Sequence, residues 1–260
     1  MGNIFPVEYA RCFYEGMKSE GQELPMNLLR CAWAGSQKYG ALVWSGDIDT
    51  TFPTLRAQLA AGLSMGMAGI PWWTTDIGGF HGGRADDPDY RELLIRWFQF
   101  GAFCPVFRLH GCRDPHEPSN NPNKTDTGAP NEVWSYGPEA YAILSRYLFL
   151  REEMRPYIEK TMRKTAETGA PVIRPLYFSF PKDPAAAEVE DQFLFGDDVL
   201  VAPILYLGAR ERSVYLPEGA AWIDTATGKE YPGGQTVTVP APIDVIPVFL
   251  RKGGSADFRI

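Results

Sequence analysis

Cysteine and histidine are scarce in this sequence, with four Cys and three His in 260 residues. The cysteines (Cys12, Cys31, Cys104 and Cys112) form no C-x-x-C pair and are too few for a disulfide scaffold. A reducing, cytoplasmic setting is the expectation. No stretch approaches the roughly 18 apolar residues of a membrane span, so no membrane partner is expected. Basic excess is also missing. Lys+Arg number 25 against 32 Asp+Glu, a net charge of -7. Phosphate backbones are bound by basic surfaces, so nucleic acid is not an expected partner. The opening MGNIFPVEYARCFYEG has neither the basic start and apolar core of a secretory signal nor the Ser/Thr of a myristoylation motif. There is no Walker A or Rossmann glycine pattern, and no cofactor is expected. Ser45 sits in Trp44-Ser45-Gly46-Asp47, not in the G-x-S-x-G of a nucleophile elbow.

Aromatic residues are abundant, at 13%, including 7 Trp and 12 Tyr. They suit a large core, or flat faces on which sugars stack. Their spacing changes along the chain. Val7, Ala10, Phe13, Tyr14 and Met17 share one helical face behind Pro6. Short apolar strands are expected at 26–33, 41–45, 68–75 and 104–109. A helix over 53–66 has Thr51 as its cap and Leu55, Leu59 and Leu63 on one face. A helix over 88–101 has Asp87 as its cap and Leu93, Leu94, Trp97 and Phe98 inward. A long helical stretch over 138–165 is expected to break near Pro156. Strands alternating with helices of this length predict βα units on a parallel sheet. Four such units make half of an eight-stranded barrel.

Beyond residue 165 the pattern is short strands separated by turns. Expected strands are 173–178, 192–195, 199–203, 212–216, 236–239 and 245–250, punctuated by Gly196-Asp197-Asp198, Pro217-Glu218-Gly219 and Pro232-Gly233-Gly234. The reading is therefore α/β plus all-β: a half-barrel over residues 1–165, then a β-sandwich over 166–260.

Chemistry in parallel α/β folds sits beyond the carboxyl ends of the strands. Arg30 follows the first strand. Trp44-Ser45-Gly46-Asp47 ends the second. Trp72-Trp73-Thr74-Thr75-Asp76-Ile77-Gly78-Gly79-Phe80 ends the third, and Arg108-Leu109-His110-Gly111 ends the fourth. Each residue has a plainer reading. Asp47 could cap a turn, Asp76 could hold a loop, Arg30 could bridge to either Asp, and His110 could be a bonded structural histidine. The tryptophans could be core. Together, two carboxylates, cationic donors and aromatics suit glycoside cleavage, which needs a proton donor and a carboxylate against an oxocarbenium-like carbon. A metal reading of His110, Cys112, Asp114, His116 and Glu117 is disfavoured, because the spacing matches no common zinc pattern and Pro115 and Pro118 suggest an extended loop. Asn123-Lys124-Thr125 is a glycosylation sequon of a kind that chance often supplies.

Leu29-Arg30, Val43-Trp44-Ser45-Gly46-Asp47, Trp73-Thr74-Thr75-Asp76-Ile77-Gly78-Gly79-Phe80 and Phe107-Arg108-Leu109-His110-Gly111 together resemble glycoside hydrolase family 31 in order and spacing. Residues 193–254 resemble the β domain that follows that family's barrel. The resemblance implies a retaining α-glycosidase. Asp47 maps to the acid/base. Arg30, Trp44, Asp76, Phe80 and His110 map to the sugar subsite. It further implies that these residues correspond to barrel strands five to eight. The family's nucleophile lies at the end of strand four, and Glu8 does not fit its motif. These 260 residues alone are therefore expected to be inactive, and to associate with the missing half of the barrel or with themselves. The oligosaccharide is expected to carry a terminal α-linked xylose, with glucose second. The wording around Asp76 resembles α-xylosidases slightly more. A non-catalytic carbohydrate-binding or assembly module is the alternative.

Overall fold

The computed structural model describes residues 2–117 and 127–260. Helix α1 (Phe5–Ser19) opens the chain with Pro6 in its first turn, where a missing N–H costs nothing. Strands β1 (Asn27–Leu29) and β2 (Ala41–Trp44) follow and pair in parallel. Helix α2 (Phe52–Met67) starts at Thr51, whose hydroxyl accepts from the Thr54 N–H. Its Leu55, Leu59 and Leu63 are buried, as their spacing requires. Strand β3 (Trp73–Thr74) then pairs in parallel with β2. It is shorter than expected, because Gly69 turns the chain at φ +82° and Pro71 offers no donor to the ladder.

Beyond β3 come β4 (His81–Arg84) and α3 (Pro88–Gly101), the latter capped by the Asp87 carboxylate on the Asp89 N–H. Leu93, Leu94, Trp97 and Phe98 all face inward at 3% exposure or less. Burial of each Leu or Phe here contributes about 1.5–3 kcal/mol over leaving it exposed. The strand expected at 104–109 does not form. Phe103 and Cys104 close the end of α3 as turns, and Pro105 has no N–H. A single Val106 N–H to Trp73 carbonyl bond and a Thr74 hydroxyl bond to the Val106 carbonyl hold the segment beside β3. The chain then forms β5 (Cys112–Glu117), parallel to β4, and β6 (Thr127–Ala129), antiparallel to β5. Pro118 and the sequon lie outside the described residues.

Helices α4 (Pro138–Glu153) and α5 (Arg155–Thr168) are separated at Met154, two residues before Pro156. The remaining chain adds β7 (Ile173–Arg174), α6 (Leu176–Ser179), α7 (Pro184–Ala187), β8 (Phe193–Phe195), β9 (Val199–Val201), β10 (Glu211–Leu216), β11 (Ala221–Asp224), β12 (Glu230–Pro232), β13 (Gln235–Pro240) and β14 (Val248–Arg251). The sheet order is β12-β11-β14-β9-β8-β7, with β10-β13 as a separate antiparallel pair. The first expected strand here is cut short at Pro175, where α6 begins. Strands β11 and β12 were not expected.

The two units share a wall. Phe193 and Phe195, Val199 and Val201, Val248 and Leu250 pack into the core of the half-barrel. Their alternates Leu194, Leu200 and Phe249 pack into a second core with Val214, Leu216 and Trp222. Side chains along a strand alternate in direction, so a strand buried on both faces reads as an unbroken apolar run. Phe100 meets Phe193 edge-on at 5.8 Å across this wall. Arg96, fully buried, clamps it by donating to the carbonyls of Ala209, Ala241, Pro242 and Val245.

Candidate active site

The parallel order β1-β2-β3 brings Arg30, Asp47 and Asp76 to one sheet edge. The Arg30 Nη2 donates to Asp47 Oδ2 at 3.0 Å, with the Arg side chain 64% and the Asp side chain 35% exposed. The plain bridge reading for Arg30 thus names Asp47. The Asp47 carboxylate does not cap α2, since Thr51 does that. Trp44 is half-buried, whereas Trp73 is core, seated against α2 where Gly62 leaves room for its ring.

Asp76 has the opposite surroundings. It is fully buried and paired with Arg108, and its N–H donates to Ser45 Oγ at 3.0 Å. Its second carboxylate oxygen is buried without a partner. Burial lifts the Asp76 carboxyl above its ordinary range, while the charges of Arg108 and His110 pull it back; Asp47 adds a smaller upward push.

The loop after Asp76 is stitched to the loop that carries Asp47. The Phe80 and His81 N–H groups both donate to the Ile48 carbonyl, at 2.7 and 3.2 Å. Gly79 permits this approach. It sits at φ +80°, and a Cβ there would lie 2.7 Å from the Asp49 carbonyl oxygen and from Thr50. The Phe80 ring then lies 5.4 Å from that of exposed His110. All six residues singled out from sequence therefore cluster around these strand ends and their loops.

Two arginines were not singled out. Arg108 stands in the quoted motif two residues before His110, and its place at the end of the same expected strand was the available signal. Arg113 is 1% exposed and bonds the loops from behind; no local pattern marks it. The segment of the metal reading brings three of its side chains near one another. Cys112 Sγ is 3.3 Å from His116 Nε2, and Asp114 is 3.7 Å from the same nitrogen. No group of three or more such side chains able to hold a metal is gathered among the described residues.

Fold and site define the class: half of a βα barrel whose mouth carries two carboxylates, each against a guanidinium, beside an aromatic and imidazole wall. The chain belongs to glycoside hydrolase family 31. That family's TIM-barrel domain matches residues 1–161 and its C-terminal domain matches residues 169–254. An alpha-xylosidase of Saccharolobus solfataricus is 35% identical over 251 residues, covering 96% of this chain and 32% of its own length. Alpha-glucosidase 2 of Bacillus thermoamyloliquefaciens is 33% identical over 259 residues, 97% of this chain and 30% of its own. The crystal structure of a GH31 alpha-xylosidase from a soil metagenome, complexed with xylose, matches with TM-score 0.96 and 57% identity over 98% of this chain and 38% of that one. The chain thus spans about a third of the length of the relatives it matches.

Proposed function

We propose that these residues form the acid/base half of a retaining α-glycosidase acting on terminal α-linked xylose, with α-linked glucose as the second substrate. The observation that carries this reading is the pair of carboxylate–guanidinium contacts at neighbouring strand ends, one exposed and one buried. Asp47, in reach of solvent, protonates the leaving glycosidic oxygen and then takes the proton of the attacking water. Arg30 orients it. Asp76 is held by Arg108 and serves the sugar hydroxyls, not the anomeric carbon. His110 adds a further polar contact, and Trp44 and Phe80 pack on the ring. The order xylose before glucose is supported by the alpha-xylosidases among the relatives.

Retaining chemistry needs a second carboxylate to form the glycosyl ester. It is supplied from a preceding half-barrel, so the 260 residues alone do not hydrolyse. Strand β1 is an edge, with β2 as its neighbour. Ile4, Phe5, Tyr9, Phe13, Leu24 and Leu28 beside it are all exposed. This face suits the missing half-barrel, or a second copy in its absence. The four free thiols fit a cytoplasmic home.

The test is release of 4-nitrophenol from its α-xyloside and α-glucoside. The expected outcome is no turnover by the isolated chain. Turnover appears once the first half-barrel is present in the polypeptide or added to it, with Asp47→Ala lowering it by about 10²–10⁴-fold. Asp47-dependent turnover by the isolated chain would overturn the division of labour. Saturable xylose binding with no turnover in either form would favour the binding-module alternative.

A further inference from the structure

We propose that Arg113, which lies behind the mouth and does not line it, is the positioning residue that sets the Asp76–Phe80 loop and His110 in register with Asp47. The proposal rests on the glycosidase reading of that mouth. Most of the guanidinium's bonds among the described residues go to these loops. Its Nη1 donates to the carbonyls of Gly79 and Gly82 at 2.8 and 3.1 Å. Its Nη2 donates to those of Ile77 and His110 at 3.0 and 3.5 Å. Its Nε donates to Asn131 Oδ1 at 2.9 Å and to the Tyr136 hydroxyl at 3.3 Å, and the Tyr90 ring lies 5.3 Å away. One planar group thus ties both arms of the site, the loop after β3 and the segment before β5.

Among the described residues these bonds all go to neutral oxygens. Desolvating a guanidinium is costly, and neutral acceptors offset that less than a carboxylate would. The return is geometric. The two Nη groups of one rigid fork hold four backbone carbonyls of these loops, those of Ile77, Gly79, Gly82 and His110. The glycines of the two site motifs clear the space. A Cβ at Gly111 would lie 2.4 Å from Arg113, and one at Gly78 would lie 3.2 Å from it. Arg96 provides the contrast: equally buried and equally bonded to carbonyls, but between α3 and the β unit, with no site residue among its partners.

The three histidines make the test direct. His81 and His110 sit on the Phe80 ring, at 4.8 and 5.4 Å between centroids. Their imidazole NMR resonances therefore report where the loop lies, whether or not sugar binds. The chain is compared with Arg113→Met, Arg113→Lys and Arg96→Met. In both Arg113 variants the His81 and His110 signals move beyond their linewidths. In Arg96→Met they stay, although its melting temperature falls. If Arg113→Met does not fold, Arg113→Lys decides alone, because it keeps the charge and loses the fork. Unmoved His81 and His110 signals in Arg113→Lys would overturn the proposal, as would equal movement in Arg96→Met. In the polypeptide that turns over α-glycosides, Arg113→Lys lowers kcat/KM by about 10²-fold, the cost of a small misplacement, and Arg96→Met does not. Absence of turnover in the wild type would sink the glycosidase reading and leave the histidine result standing.

Discussion

Asp47 and Asp76 end neighbouring strands of one sheet yet meet opposite solvents. An acid/base residue exchanges protons with substrate and water, so it has to stay in reach of both. A carboxylate that only accepts hydroxyl donors gains from a dry, fixed setting. Asp76 has that setting, and its carboxyl titrates above the ordinary range because burial outweighs the Arg108 charge. The native state then holds the proton more tightly than the unfolded chain. This contribution is full below the ordinary carboxylate pKa and is lost as pH rises through the raised one. Arg108→Met removes the main opposing charge and leaves a buried anion. We expect a loss of about 3 kcal/mol at pH 7, and a smaller loss at a lower pH, toward which Asp76 takes up its proton. Urea unfolding at the two pH values checks this. An equal loss at both would mean that Arg108 acts through packing alone.

Within the helices, two interior glycines carry opposite expectations. Gly16 of α1 has open space where a Cβ would be. Gly16→Ala should raise stability by about 0.5–1 kcal/mol through propensity. Gly62 of α2 would place its Cβ 2.8 Å from the Trp73 ring and 3.1 Å from Ile173. Gly62→Ala should therefore cost about 1–3 kcal/mol despite the same gain. Denaturation midpoints of the two variants check the pair. The same contrast explains what the sequence discloses. Thr51, Asp87 and Pro156 act on their own turns, so the bounds of α2 and α3 and the break between α4 and α5 could be read locally. The strand-end positions of Arg30, Asp47 and Asp76 follow from those elements. The segment before His110 could not be read this way. Its apolar residues pack without a ladder because Pro105 and the turn after α3 decide its path. β11 was missed for a similar reason: it is short, and its place comes from pairing with distant β14. Helix α1 shows the limit of periodicity. Ala10 is buried as its spacing implies, but Phe13 is 50% exposed and belongs to a second stripe with Phe5 and Tyr9, ring against ring at 5.6 and 4.9 Å.

At the scale of the molecule, that second stripe and the edge of β1 form one uncovered apolar side. Large exposed apolar patches and open strand edges drive association. The isolated chain is expected to sediment as species heavier than a monomer. Phe13→Lys, which touches neither the core nor the mouth, should shift it toward monomer at unchanged melting temperature. Sedimentation velocity checks both, and an unchanged distribution would clear this side of blame. The opposite side of the half-barrel is its inverse. There β8, β9 and β14 present one set of side chains to the barrel core and the alternate set to the sandwich core. Such a sheet is a party wall between two houses. The seam that inheritance draws through the chain near Gly169 is therefore not a seam in the folded object. Neither half can be lifted away without stripping one face of the shared masonry, and damage done on either side of it is felt on both.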